Sequence, residues 1–323
     1  MDAAEEEKST LNARAAALVE KFVADAEDLR VGLHQSAAGG AVIVDCGLAE
    51  EGGLEAGRRL AEICMAGLGQ VQFAPSVECV GPWPTVTVRT DHPVRACLGS
   101  QYAGWQLAKG KYYAMGSGPM RAVAAREPLF EQLGLRETSG VVVGVLESRA
   151  LPPKDIVAEI AECCWIPPSG VRLLTAPTSS QAGTVQVVAR SVETALHKLH
   201  ELQFDVRTIV SAFGAAPLPP VAKHDLTAVG WTNDAILYGG DVTLWVRTDD
   251  ATIEAVGPQV PSNSSIDYGL PFAQTFENYG QDFYKIDKLL FSPAVVTFHN
   301  LETGRSFRFG ALNRDVLVKS FSA

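Results

Sequence analysis

The sequence predicts an α/β protein of two domains, and three observations carry that prediction. Apolar runs of strand length alternate with amphipathic helical stretches along most of the chain, the pattern of helices packed on sheets. The 323 residues exceed the usual domain length of ~150, which allows two domains or one large one. Hydrophobic residues make up 47% of the chain, ample for a buried core. No Gly/Ser/Pro-rich linker marks a boundary; the expected limits are residues 1–112 with 290–323 for one domain and 113–289 for the other.

Taken in order, an acidic start (MDAAEEEKST) precedes a helix over residues 11–31, with Leu18, Val19, Phe22 and Ala26 on one face and Thr10 or Asn12 as its cap. Residues 41–46 (AVIVDC) form a compact apolar strand, 55–66 a second amphipathic helix, and 85–90 (TVTVRT) an alternating strand. Residues 97–113 (CLGSQYAGWQLAKGKYY) mix aromatics with small residues. Small residues let a ligand approach the backbone and aromatics offer flat faces for stacking; a helix whose Tyr102, Trp105 and Gln106 pack or cap is the plainer alternative. Residues 115–121 (MGSGPMR) form a glycine loop before a proline, either an anion nest or a tight turn. It is no dinucleotide fingerprint, because Arg121 stands where the last glycine belongs.

Further along, 141–146 (VVVGVL) and 171–175 (VRLLT) are buried strands on either side of a helix over 155–164. Residues 185–188 then read as a short strand running into a helix, and 206–213 as another strand. Residues 226–238 are helical and 242–248 (VTLWVRT) extended; the shared V-R-T-D of residues 88–91 and 246–249 is too short to establish a repeat. Residues 261–284 have few regular elements, and a loop of that length in a compact domain tends to be functional. Residues 294–309 alternate around 300–304 as a hairpin that joins an earlier sheet.

Composition narrows the functional classes. A net charge of −10 and an isoelectric point near 5.1 disfavour a nucleic-acid backbone as partner. No apolar run reaches the ~18 residues of a membrane span, and the acidic start lacks the basic and apolar regions of a signal peptide, so a cytoplasmic protein is expected. The six cysteines include no C-x-x-C pair and read mostly as reduced core residues.

The chemistry concentrates at residues 183–202. Arg190 closes the expected strand and Glu193 falls in the first helical turn, so a guanidinium and a carboxylate stand three residues apart. The helix N-terminus and the cation favour the ionised carboxylate while burial opposes it, a balance that suits a general base; a structural ion pair is the plainer reading. Glu193, His197 and His200 share a helical face at ligand-like spacing, but the lysine and glutamate beside the histidines read as a solvated face, and no metal is expected. There is no G-x-S-x-G elbow or Walker loop, and Cys163-Cys164 lacks a histidine partner. General-base chemistry on a bound small molecule remains.

Five segments resemble the methenyltetrahydromethanopterin cyclohydrolase family: A-R-x-x-E at residues 189–193, S-Q-Y-A-G-W at 100–105, G-S-G-P-x-R-A at 116–122, D-Y-G-x-P-F at 267–272 and Y-G-x-D-F-Y at 279–284. The resemblance spans nearly the whole chain beyond the acidic start, with Met120 at a position often small in the family. It implies two α/β domains with an interdomain substrate cleft, a cytoplasmic homotrimer of one-carbon metabolism, and reversible hydrolysis of the methenyl bridge of a tetrahydropterin without a metal or redox cofactor. Carried onto this chain, it implies Glu193 as general base and Arg190 as the group that places the attacking water. Ser100, Gln101, Tyr102, Ala103, Trp105, Gly116, Ser117, Gly118, Tyr279 and Asp282 would contact substrate. A cyclohydrolase for a related pterin or folate, and a pterin-binding protein without catalysis, are the alternatives.

Overall fold

The computed structural model describes residues 10–35, 39–280 and 285–322. The chain divides into two compact units, Met1–Leu68 with Arg95–Gln186 and Gly69–Val94 with Val187–Ala323. Both are α/β, as the sequence predicts. The expected limits at 112/113 and 289/290 fall inside these units.

The first unit opens with α1 (Leu11–Ala24), capped by the Thr10 hydroxyl, which accepts from Ala13 N at 3.1 Å. The expected continuous helix breaks at Asp25 into α2 (Ala26–Leu29), closed by Arg30 at φ +54°. Next come β1 (Gly32–Gln35), β2 (Val42–Asp45) and α3 (Leu54–Cys64). The chain then enters the second unit for the hairpin β3 (Gly69–Ala74) and β4 (Thr85–Thr90). It returns through a π-helical turn, Val94–Gln101, to β5 (Trp105–Lys109), β6 (Tyr112–Ser117), α4 (Met120–Ala124) and α5 (Pro128–Gln132). β7 (Val142–Glu147), α6 (Lys154–Cys163), β8 (Val171–Ala176) and α7 (Gln181–Val188) follow, the last crossing units for good. The second unit is completed by α8 (Ser191–Glu201), β9 (Ile209–Pro217), α9 (Asp225–Gly239), β10 (Asp241–Val246), α10 (Asp250–Val256), α11 (Phe272–Asn278), β11 (Val295–Asn300), β12 (Ser306–Gly310) and α12 (Arg314–Phe321).

Each unit is built on one six-stranded sheet. The first runs β1-β2-β8-β7-β6-β5, with β2, β8 and β7 parallel and the outer strands antiparallel. Its core packs Ile43, Leu107, Met120, Leu146, Ile156, Ile160 and Leu173. Gly144 makes room for Met120, since a Cβ there would meet the Met120 sulfur at 2.3 Å. The second sheet runs β12-β11-β10-β9-β4-β3, antiparallel except for β10 and β11. The hairpin β11–β12 joins it as the alternation predicts. The two V-R-T-D strands, β4 and β10, lie in this one sheet on either side of β9, so they do not mark two similar halves.

Several expectations need correction. Residues 185–188 are not a strand but part of helix α7, and Arg190 therefore joins two helices. Ser180 starts α7: its hydroxyl accepts from Gly183 N at 3.0 Å and its carbonyl from Thr184 N at 2.8 Å. A Cβ on Gly183 would lie 1.9 Å from the Pro177 carbonyl, so the helix enters against backbone. Because α7 is buried around most of its surface, its valines show no amphipathic period and imitate a strand. The stretch 97–113 is neither a helix nor a loop; it ends the π-helical turn and forms the β5–β6 hairpin, turning at Gly110 with φ +59°. Within the irregular segment after residue 261, α11 was not foreseen, nor were β1, β3 and α12 elsewhere.

Candidate active site

Helix α8 presents the expected pair. Arg190 is its N-cap, 6% exposed, and Glu193, 4% exposed, lies in its first turn. The Arg190 carbonyl accepts from Thr194 N at 2.9 Å, and the Arg190 amide donates to Val187 O at 3.1 Å, so the turn between α7 and α8 is hydrogen-bonded on both sides. Gly214 of β9 lets this helix end lie against the sheet, since a Cβ there would stand 2.5 Å from Ser191 Oγ and 2.9 Å from Val192 Cγ2. Glu193 is thus a buried carboxylate held in the first turn of α8, at the positive end of the helix dipole.

The solvated-face reading of α8 is corrected at Lys198, which is 1% exposed. Its ammonium donates to Ser264 Oγ at 3.2 Å and to the Leu289 carbonyl. Burial pushes its pKa down to about 8 against the pull of Asp287. Among the described residues no group of three or more His, Cys, Asp or Glu is placed to hold a metal ion, so Glu193, His197 and His200 do not gather as ligands.

Farther along the second unit, Tyr279 donates its hydroxyl to Asp267 Oδ1 at 2.8 Å, and Asp267 Oδ2 accepts from Asp287 N at 2.8 Å. Asp267 and Tyr279 come from two of the sequence motifs, D-Y-G-x-P-F and Y-G-x-D-F-Y, and the structure brings them together. Asp282 lies outside the described residues.

In the first unit the remaining candidates form a second group. Ser100 and Gln101 end the π-helical turn and are fully buried. Ser100 Oγ donates to Cys64 O at 2.6 Å, and its carbonyl accepts from Gly118 N at 2.8 Å. Ser117, at the end of β6, donates to Val145 O at 3.2 Å and lies 3.3 Å from Cys64 Sγ. Gly118 has φ +92°, and a Cβ there would meet Val143 O at 3.1 Å, which explains the glycine. Gly116 is equally confined, with Trp105 O 3.0 Å from its would-be Cβ. The glycine loop is therefore no open anion nest: the Gly118 amide is spent on the Ser100 carbonyl. Ala103 is half-buried in the turn before β5. Trp105 is buried under the Arg126 guanidinium, 5.4 Å from its ring centre, and its indole N–H has no hydrogen-bond partner among the described residues.

Arg121 organises this group, a role the sequence did not disclose. It is 1% exposed and pairs with Glu127 through both carboxylate oxygens. Its Nη1 donates to Leu98 O at 3.3 Å and Ser100 O at 3.2 Å, and its guanidinium stacks on Tyr102 and Phe130 at 5.0 and 5.1 Å. Pro119 before a one-turn helix, with a carboxylate six residues after Arg121, was the signal present in the sequence. The Cys163-Cys164 pair is a poor nucleophile: burial pushes the Cys164 thiol up to about 12 and raises that of Cys163.

The Cyclohydrolase (MCH) family model matches residues 10–321. A methenyltetrahydromethanopterin cyclohydrolase of Rhodopirellula baltica is 50% identical over 289 residues, covering 87% of this chain and 86% of its own length. Proteins of the same name from Xanthobacter autotrophicus and Methylobacterium organophilum are 48% and 47% identical, over 95% and 97% of this chain and 90% and 98% of their own lengths.

Proposed function

The chain belongs to the Cyclohydrolase (MCH) family, and from that premise we propose that it interconverts 5,10-methenyltetrahydromethanopterin and 5-formyltetrahydromethanopterin. The observation that carries the mechanism is the buried Glu193 in the first turn of α8, with Arg190 as that helix's cap. The methenyl carbon sits between two nitrogens in a cationic amidinium and is already electrophilic. The reaction asks for a held water, a group to take its proton, and management of the positive charge that disappears. Water oxygen bonds to the carbon as Glu193 accepts one of its protons; the carbon–N10 bond then breaks as the remaining hydroxyl proton is transferred to N10, and the formyl group stays on N5. One proton is released overall. Arg190 orients the water and, beside a cationic substrate, would be unfavourable without the Glu193 charge.

Ser100, Gln101, Tyr102 and Ala103, with Trp105, Gly116, Ser117 and Gly118, are assigned to the same substrate, as are Tyr279 and Asp282. The confinement of Gly116 and Gly118 and the Arg121 bond to the Ser100 carbonyl make this part of the first unit rigid. The chemistry needs no redox or metal cofactor; a cytoplasmic location and a homotrimer belong to the proposal through the family resemblance. Among the described residues, no helix is long and apolar enough to cross a membrane.

The test is loss of the methenyl absorbance on adding protein, with methenyltetrahydrofolate as the comparison substrate. Turnover of the methanopterin compound with little or none of the folate is expected. Binding without turnover would convert the assignment to a carrier. Glu193→Gln is expected to lower kcat by about 10²- to 10⁴-fold with KM little changed; near-normal turnover would remove Glu193 from its role.

A further inference from the structure

We propose that Lys198 is a positioning residue for the pterin, holding Tyr279 in place through a chain of hydrogen bonds that starts on the helix carrying Glu193. The proposal rests on the reading of Glu193 and Tyr279 given above. Its links are all within the second unit. The Lys198 ammonium donates to the Leu289 carbonyl and to Ser264 Oγ. Leu289 N donates to Asp287 Oδ1 at 3.0 Å, and Ser265 Oγ donates to Asp287 Oδ2 at 2.7 Å. The Asp287 amide donates to Asp267 Oδ2, whose other oxygen accepts the Tyr279 hydroxyl.

A lysine is an expensive way to join these elements. Lys198 is 1% exposed, and its ammonium bonds a hydroxyl and a carbonyl, with Asp287 acting at longer range. An apolar side chain of the same length would fill the space without the desolvation cost, so stability alone gives little reason for a charge here. What a methionine would not supply is the directed grip on the Lys288–Leu290 turn, from which Asp287 and then Asp267 take their positions. Lys198 is five residues from Glu193 on one rigid helix, so this grip sets the Tyr279 side of the second unit in register with the carboxylate.

The experiment compares Lys198→Met, Tyr279→Phe, the double variant and Ser264→Ala, measuring kcat and KM for methenyltetrahydromethanopterin, melting temperature, and amide hydrogen exchange over residues 262–280 and 285–290. Lys198→Met is expected to raise KM about tenfold with kcat within about twofold, because the reacting groups on α8 remain while a contact to the substrate drifts. Exchange over residues 285–290 should quicken without a fall in melting temperature. The KM penalties of Lys198→Met and Tyr279→Phe should not add, because both cut one chain. Ser264→Ala, which leaves the Leu289 bond, should shift KM in the same direction by less. Additive KM penalties, or an unchanged KM with unchanged exchange, would overturn the proposal. Retained turnover in Glu193→Gln would instead defeat the base assignment, leaving the exchange and coupling results for Lys198 readable by themselves.

Discussion

Among the described residues, Arg121 in the first unit and Lys198 in the second are both 1% exposed, and the two cations are handled differently. Arg121 in the first unit meets both oxygens of one carboxylate, two carbonyls and two aromatic rings, so its fork of donors is matched and its plane is clamped. Lys198 in the second unit has a hydroxyl and a carbonyl and sits with its pKa pushed down to about 8. The planar guanidinium suits a fixed crossroads, whereas the compact ammonium on a flexible stem makes a tether. The difference teaches that equal burial does not mean equal purpose: Arg121 holds up a loop, while Lys198 links one helix to a distant side chain.

The largest expected effect lies outside that comparison and calibrates it, the loss of 10²- to 10⁴-fold in kcat for Glu193→Gln. Next comes Arg121→Met, which strands the Glu127 carboxylate and two carbonyls. It should cost about 3–5 kcal/mol in unfolding free energy measured by denaturant titration, in the range for a broken buried pair. Lys198→Met strands no paired carboxylate and should leave the same titration within about 1 kcal/mol; a loss as large as that of Arg121→Met would erase the distinction between clamp and tether.

A buried anion in the second unit sharpens it further. Asp234 on α9 accepts from Phe272 N at 2.8 Å and from Ser320 Oγ at 2.6 Å, joining α11 and α12, and burial raises its pKa from 3.8 to about 7. With the folded value above the unfolded one, its contribution to stability is full below pH 3.8 and is lost as pH rises towards and through 7. Asp234→Asn should therefore raise the melting temperature at pH 8, by the equivalent of up to about 4 kcal/mol, and do little at pH 4. Smallest of all, Arg305→Ala breaks exposed pairs with Asp250 and Glu254 and should change stability by less than about 1 kcal/mol.

Much of this was legible from residues alone. Strands such as β7 and the β11–β12 hairpin announce themselves by apolar runs and alternation, and Glu193 was correctly placed in a first helical turn. α7 was misread because a helix buried on nearly every side loses the polar face that betrays its period, and β-branched valines then favour the wrong element. Lys198 was misread for a related reason: charge predicts exposure, and its partners Ser264 and Leu289 lie 66 and 91 residues away along the chain. Arg121 likewise gained its meaning from carbonyls more than 20 residues earlier.

The excursion of β3 and β4 into the second unit bears on how the polypeptide emerges during translation. β4 pairs on one side with β3, made just before it, and on the other with β9, whose residues 212–217 come roughly 120 positions later. At the ~5–20 residues per second of synthesis, that open strand edge waits several seconds or more for its neighbour while the later strands of the first unit are being made. Neither unit can be expressed as one uninterrupted piece, and a nascent chain halted between residues 94 and 209 would carry an unfinished edge able to capture strands from other chains.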